Sequence, residues 1–381
     1  MNRFTLLLLF LAFGLTSAAC PTRIRALPDA STNDQAGATG GSTGGMAGSG
    51  AAGRGGTGGG SSGTAMDGGT DRAEPTDAGV ASTFVSGPCI AALPSSYSTV
   101  VAFALGSDHK IHEQSNGGTG WASWVTVSSL DASAIDFHSD LDCSSDVGGI
   151  LHIVATGSSP LGAVMHAFGS GTSFNPFVRE FPSYTFSTPG AAIAFLPFGS
   201  DYVLGAFGPE PVLEDVSSDG TTTTLTPITT LGSPLTTAVD VAYVGGSFGQ
   251  RLLAGYDSSG KMSAYVNYLP GSEPSYWSTV VQMQPPSGTT FNFSPTICGD
   301  AGLTATQRIH IIAVANGQVW DTYSDSSYSG WERIGTQAAS APDCALMGDQ
   351  TVHVVTLSNA GHILDIYGSP GSWTTTDLGT F

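Results

Sequence analysis

From about Gly87 to Phe381 the chain repeats one four-step order of short strand-like runs with a period of roughly 50 residues. Each run is rich in Val, Ile, Tyr, Phe and Thr and is bounded by Gly, Ser, Asn or Pro, with no 3.6-residue periodicity. The last two repeats align most clearly. SAPDCALMG, TVHVVTL, GHILDIY and SWTTTDLG lie over FSPTICGD, RIHIIAVA, GQVWDTYS and GWERIGTQ. Each set gives an inner strand with Cys near its middle, a second strand with an early His, a tight turn, a third strand, and a fourth strand opened by Trp.

The first repeat reads GPCIAAL, STVVAFAL, HKIHEQS, GWASWVTV, and the second DLDCSSD, ILHIVATG, AVMHAFG, SFNPFVRE. Two more degenerate repeats start near Pro189 and Thr236. Four-stranded meanders recurring at this period are the signature of propeller blades. The expectation is an all-β propeller of six four-stranded blades over residues 86–381, closed by blade-to-blade packing because the set ends on a whole fourth strand.

The first 19 residues read as an export signal: Arg3, an apolar run from Phe4 to Leu15, then Ser17, Ala18 and Ala19. The run is too short to span a membrane. The following Cys20 ends LTSAAC, a string resembling the lipobox of bacterial lipoproteins, in which the Cys is acylated; ordinary cleavage after Ala19 is the alternative. Residues 20–85 are dominated by Gly, Ser, Thr and Ala and cannot bury enough surface to order themselves, so they read as a tether. Gly48, Gly50 and Gly53 match GxGxxG, but without the flanking strand and helix that give the motif its mechanism. The expected location is the bacterial envelope, with membrane attachment through the lipid alone.

The net charge of −19 leaves the repeat region with Lys110, Arg179, Arg251, Lys261, Arg308 and Arg333 as its only cations. A partner rich in phosphate needs clustered cations, so nucleic acid is not expected.

Cys89, Cys143, Cys298 and Cys344 all fall on innermost strands. Pairs between adjacent blades, Cys89 with Cys143 and Cys298 with Cys344, suit the geometry near an axis. Cys89 with Cys344 would instead close the ring, and four buried thiols are a further alternative. His152, His310 and His353 share one place in three second strands, but blade rotation sets such places apart, so no shared metal is expected. His109, His112 and Glu113 read as a turn and a strand face. Asp140, Asp142 and Asp146 form a weak calcium pattern without the glycine and terminal glutamate of a binding loop. No cofactor is expected.

The strings ANGQVWDTYSDSSYSGWERIG and GSDHKIHEQSNGGTGWASW resemble the turn, third strand and Trp-opened fourth strand of bacterial and fungal propeller lectins. These include the fucose-binding six-bladed group and the related seven-bladed lectins of insect pathogens. Third strands carry a recurrent acid at Glu113, Glu214, Asp321 and Asp365, with His166 and Ala264 at the remaining places. Fourth strands open with Trp121, Phe174, Trp277, Trp331 and Trp373. A carboxylate accepting from sugar hydroxyls beside an aromatic face that stacks on the C–H side of the ring is the chemistry of carbohydrate binding. In the resembling fucose lectins an Arg from the second strand joins the pair; here only Arg251 and Arg308 lie near second-strand starts.

The expected function is therefore carbohydrate binding at repeated weak sites, without catalysis. The candidate residues are Asp321, Trp331, Arg308, Glu113, Trp121, Asp365, Trp373 and Glu214, and the expected partners are glycans. A propeller glycosidase would need one specific carboxylate pair, and no SxDxGxTW box is present. A protein-binding scaffold is the third reading.

Overall fold

The computed structural model describes residues 82–381 apart from 95–97, 132–134, 136, 138, 147, 159–160, 181–189, 196–201, 208–210, 217–221, 228–234, 238, 245–249, 269–277, 300–307 and 325–327. The signal, Cys20, the tether and Trp277 lie outside the described residues.

Every regular element among the described residues is a strand. The first repeat forms β1 (Cys89–Ala92), β2 (Val100–Leu105), β3 (Lys110–Asn116) and β4 (Val125–Asp131). The second forms β5 (Asp142–Ser145), β6 (Leu151–Ser158), β7 (Leu161–Ser170), β8 (Ser173–Phe174) and β9 (Val178–Arg179). The third forms β10 (Ala191–Phe195), β11 (Tyr202–Phe207), β12 (Pro211–Val216) and β13 (Thr222–Pro227). The fourth forms β14 (Asp240–Val244), β15 (Gln250–Tyr256), β16 (Met262–Tyr268) and β17 (Ser278–Met283). The fifth forms β18 (Thr296–Gly299), β19 (Ile309–Ala315), β20 (Gln318–Ser324) and β21 (Glu332–Thr336). The sixth forms β22 (Asp343–Leu346), β23 (Val352–Leu357), β24 (Ile363–Ser369) and β25 (Ser372–Asp377).

Each sheet is an antiparallel meander of consecutive strands, and the innermost strands pack in sequence from β1 through β5, β10, β14 and β18 to β22, which returns to β1. The expectation of six four-stranded blades is corrected. The propeller has five four-stranded blades, and the second repeat folds instead as a five-stranded sheet in which β8 and β9 both pair with β7. The fourth strand of that repeat is interrupted between Phe174 and Val178, with Pro176, which has no N–H to donate, in the gap. The first and fifth repeats are interrupted at the same place without a proline, their isolated bridges at Trp121 and Tyr328 preceding β4 and β21. The second repeat differs in that the outer segment reaches the length of a two-residue strand.

Among the described side chains the second strands β2, β6, β15, β19 and β23 are buried on both faces, and β2 reads as an unbroken apolar run, VVAFAL, with every residue buried. The outermost strand β25 faces solvent, its side chains exposed or half-buried throughout. Facing sheets pack through clusters such as Phe103, Ile153 and Phe174 between the first two repeats, and Ile90, Ala102 and Val355 between the sixth and first.

The ring closes by packing. Phe84, just before β1, bridges to Gly106 and contacts Phe381 and Trp124 at centroid distances of 5.2 and 4.7 Å. Phe381 also stacks on His112 at 3.6 Å. Disulfides join Cys89 to Cys143 and Cys298 to Cys344, with Cα separations of 5.6 and 5.8 Å, so each links adjacent innermost strands. In the chain-entropy picture, loops of 54 and 46 residues closed this way stabilise the fold by roughly 4 kcal/mol each.

Candidate functional site

The innermost strands set the frame. One row across the ring holds Cys89, Asp142, Asp240, Thr296 and Asp343, each opposite a core residue of its second strand. The Asp residues reach across to the neighbouring innermost strand: Asp343 Oδ2 accepts from Ile90 N at 2.8 Å and Asp240 Oδ2 from Ile297 N at 2.6 Å. Asp142 accepts from the backbone N–H of Ile193 and hydrogen-bonds Asp240. Burial, followed by the neighbouring carboxylates, pushes Asp142 and Asp343 well above the ordinary carboxylate range, and burial pushes Asp240 up to about 6. These groups line an axial cavity of about 330 Å³ together with Asp140. The three acids of the calcium pattern part company. Asp140 accepts from Gly87 N and Ala341 N, Asp142 belongs to the axial row, and Asp146 accepts from Ile150 N in its own turn.

The same row continues outward to the third strands. Phe103 opposes Glu113, Val154 opposes His166, Ala254 opposes Ala264, Ile312 opposes Asp321 and Val355 opposes Asp365. Glu214 does not belong to it. It opposes Leu204, which opposes Ile193, the counterpart of the donors Ile90 and Ile297. Glu214 therefore lies one residue out of register with the other acids.

Asp321 and Asp365 are fully buried, and each is held by a second-strand histidine. His310 Nδ1 lies 3.0 Å from Asp321 Oδ2, and His353 Nδ1 lies 3.1 Å from Asp365 Oδ1. The register explains the pairing: His310 opposes Tyr323 and His353 opposes Tyr367, so each acid is the diagonal neighbour two residues back on the same face. The tyrosine rings stack on the histidines at 5.7 and 5.4 Å. His152 uses the same geometry with His166 in the acid's place, at 2.9 Å, and His166 in turn meets Glu180 at 2.5 Å. Burial, then His166, lowers the His152 pKa to about 3. Burial raises Asp321, opposed by His310. Arg308 lies over the Tyr323 ring at 5.5 Å.

Register also divides the aromatics. Trp121, Phe174, Tyr328 and Trp373 occupy one place, each opposite the third-strand residue three beyond the acid position. Trp331 belongs instead with Trp124. Each precedes the residue that faces the acid, and each donates its indole N–H to a carbonyl just past the preceding repeat's fourth strand, Trp124 to Leu378 at 2.9 Å and Trp331 to Gln284 at 2.8 Å. These two tryptophans clasp neighbouring sheets.

With the rows in place, the seams differ. Between the first and second repeats Glu113 faces Phe174's sheet, where the phenyl ring offers no donor; Glu113 Oε2 is buried without a partner, and burial raises the acid's pKa. Between the fourth and fifth repeats Tyr328 offers a hydroxyl, but Ala264 stands where the acid would be, and the hydroxyl is orphaned. Between the fifth and sixth, Trp373 packs in the seam with its indole N–H unpartnered. Between the sixth and first the set is complete: Trp121 Nε1 donates to Asp365 Oδ2 at 2.8 Å while His353 holds the same carboxylate.

This last seam opens into a cleft of about 1040 Å³ lined by Gln114, Asn116 and Trp121 from the first repeat and Asp349, His353, Tyr367 and Asp377 from the sixth. Asp365 is sealed behind it, so the acid fixes the indole and the imidazole rather than facing a ligand. Tyr367 and Gln114 were not among the residues expected from the sequence, and His353 was expected only as one of three equivalent second-strand histidines without a metal. The recurring D-x-Y of 321–323 and 365–367 opposite an early second-strand His was the available signal.

No family model and no curated protein matches the chain. Solved structures do. AofleA from Arthrobotrys oligospora superposes with a TM-score of 0.58 at 9% identity, covering 80% of this chain and 92% of its own. A lectin of Aleuria aurantia, described as a six-bladed β-propeller with a fucose recognition mode, gives 0.57 at 9% identity, covering 78% and 98%. The lectin BP39L from Burkholderia pseudomallei gives 0.50 at 16% identity, covering 77% and 83%. At these identities the similarity carries the fold: a β-propeller of the kind found in fungal and bacterial lectins.

Proposed function

We propose that the chain binds carbohydrate and that the cleft between the sixth and first repeats is its principal site. The observation that carries this reading is the complete constellation at that seam, where Asp365 fixes Trp121 and His353 at the wall of an open cleft. A fixed indole beside polar groups suits a sugar, which offers a C–H face for stacking and hydroxyls for hydrogen bonds. The propeller shared with lectins supports the same reading. Binding is favoured over hydrolysis because Asp365 is buried and already engaged by two donors. We further propose that residues 20–85 tether this domain to a bacterial envelope through lipid on Cys20.

Calorimetric titration of the protein against a panel of monosaccharides tests the site. Trp121→Ala, checked by thermal melting for retained fold, is expected to weaken binding by about tenfold or more. Trp331→Ala is expected to lower the melting temperature while leaving the affinity of the folded protein unchanged. Unaltered affinity in folded Trp121→Ala, or no sugar bound by the wild type, overturns the proposal.

A further inference from the structure

The cleft between the sixth and first repeats is larger than one sugar. Its volume of about 1040 Å³ stands at the top of the roughly 300–1,000 Å³ range of pockets that bury a drug-sized ligand, and a single hexose is smaller than such ligands. On the sixth repeat the wall begins at Asp349 and Thr351, in the turn between β22 and β23, passes Tyr367 on β24 and ends at Thr376 and Asp377 on β25. Strand register gives its length. Val352, next to Thr351, faces Gly368, and Asp377 faces Leu364, so the two ends lie four residues apart along β24. That is about 14 Å at the rise of a strand, whereas a pyranose ring covers roughly two strand residues, ~7 Å. The indole sits towards the Asp377 end, because Trp121 Nε1 donates to Asp365, one residue from Leu364 and three from Gly368. About 10 Å of wall therefore runs on from the indole to the turn between β22 and β23. This stretch carries Tyr367, Thr351 and Asp349, and the matching turn between β1 and β2 adds Ser98. These side chains are exposed or half-buried, so a ligand in the cleft reaches them. Their hydroxyl and carboxylate groups are partners for sugar hydroxyls.

Resting on the carbohydrate-binding reading above, we infer that the cleft takes the chain of an oligosaccharide rather than one monosaccharide: one sugar stacks on Trp121, and at least one linked neighbour lies along the wall towards Asp349. Hydrogen bonds through its hydroxyls hold that neighbour, since the Tyr367 ring already stacks on His353. Each such bond gives a modest net gain, so affinity is expected to rise about fivefold to tenfold with the second sugar. It levels off by the trimer, when the wall is full. A longer chain also offers more copies of its unit, which by statistics alone raises affinity in proportion to their number. The rise expected from the wall exceeds that.

The test titrates the full protein calorimetrically with cello-, malto-, chito-, galacto- and manno-oligosaccharides, each from monomer to pentamer. In the series that binds, the dimer is expected to exceed the monomer by about fivefold or more, with little gain beyond the trimer. Thr351→Val keeps the shape of the side chain and removes its hydroxyl, and Ser98→Ala does the same on the facing repeat. Each, checked by thermal melting for retained fold, is expected to lower the ratio of trimer to monomer affinity about threefold or more, while Thr351→Ser, which keeps the hydroxyl, preserves the ratio. Affinity that rises only in proportion to the number of units, with Trp121→Ala still abolishing binding, overturns the oligosaccharide groove and leaves the carbohydrate site standing. A ratio unaltered in both Thr351→Val and Ser98→Ala overturns the groove as well. No binding in any series overturns both.

Discussion

At the scale of single residues, one side-chain type has two fates set by its neighbours. Asp365 is fully buried, yet it accepts from Trp121 and His353, so its removal strands two donors. Asp365→Ala is expected to cost about 1–3 kcal/mol for each donor left unsatisfied, read as a lower midpoint in urea unfolding, and to weaken sugar binding through loss of the fixed indole. Glu113 occupies the matching place with a buried oxygen that nothing satisfies, and burial raises its pKa. The charged form is thus disfavoured in the fold. Glu113→Gln is expected to leave stability at neutral pH unchanged or increased; a large loss would show that the carboxylate is needed. The recurrence of these acids was legible in the sequence, but their partners were not. Burial of Asp321 and Asp365 follows from a diagonal contact across two strands, which appears only once the register is known.

Among the elements, the four-step order of strands was legible because second strands are predominantly apolar, three of them with one early His, and turns are marked by Gly or Asn. Departures came where loop lengths vary. Trp331, Trp121 and Trp373 look equivalent when aligned on Trp. The connection from third to fourth strand runs from Asn116 to Trp121 in the first repeat and from Ser324 to Tyr328 in the fifth, which moves Trp331 into the clasping place held by Trp124. The fourth strand of the second repeat is split into β8 and β9 at the place where the first and fifth repeats also interrupt theirs, and this makes its sheet five-stranded. The recurrence of Asp142, Asp240 and Asp343 at one place on the innermost strands was not legible, because Asp142 falls in the Asp140–Asp146 pattern and Asp240 in a degenerate repeat without a cysteine to align it. Their folded pKa values lie above the unfolded ones, so the stability they contribute is fully present below the unfolded value near 4 and is lost as pH rises through the folded values, about 6 for Asp240. The melting temperature is therefore expected to fall between about pH 4 and pH 7. Asp142→Asn, which keeps a hydrogen-bonding group of the same shape beside Asp240, is expected to flatten that dependence and to raise stability at pH 7. An unchanged slope would remove the axial row as its source.

For the whole molecule, repetition built the ring, and degeneration of the repeat left the described seams unequal. Sequence patterning suggested many weak sites. Among the described seams, one joins acid, indole and histidine by hydrogen bonds beside an open cleft, whereas the fifth-to-sixth seam holds Asp321, His310 and Trp373 but leaves the indole N–H unpartnered. It lies where the last repeat meets the first, next to the packing of Phe84 on Phe381 that closes the ring. The proposed lipid on Cys20 has its own check: Cys20→Ser is expected to release the mature protein from membranes and lower its mass by the acyl groups, and unchanged membrane association would contradict the anchor. The central claim is most directly tested by a crystal structure of the protein with the tightest-binding sugar from the panel. The account predicts one sugar per chain, stacked on Trp121 in the cleft between the sixth and first repeats. Sugar bound at several seams, or in the axial cavity with the Trp121 cleft empty, would contradict it.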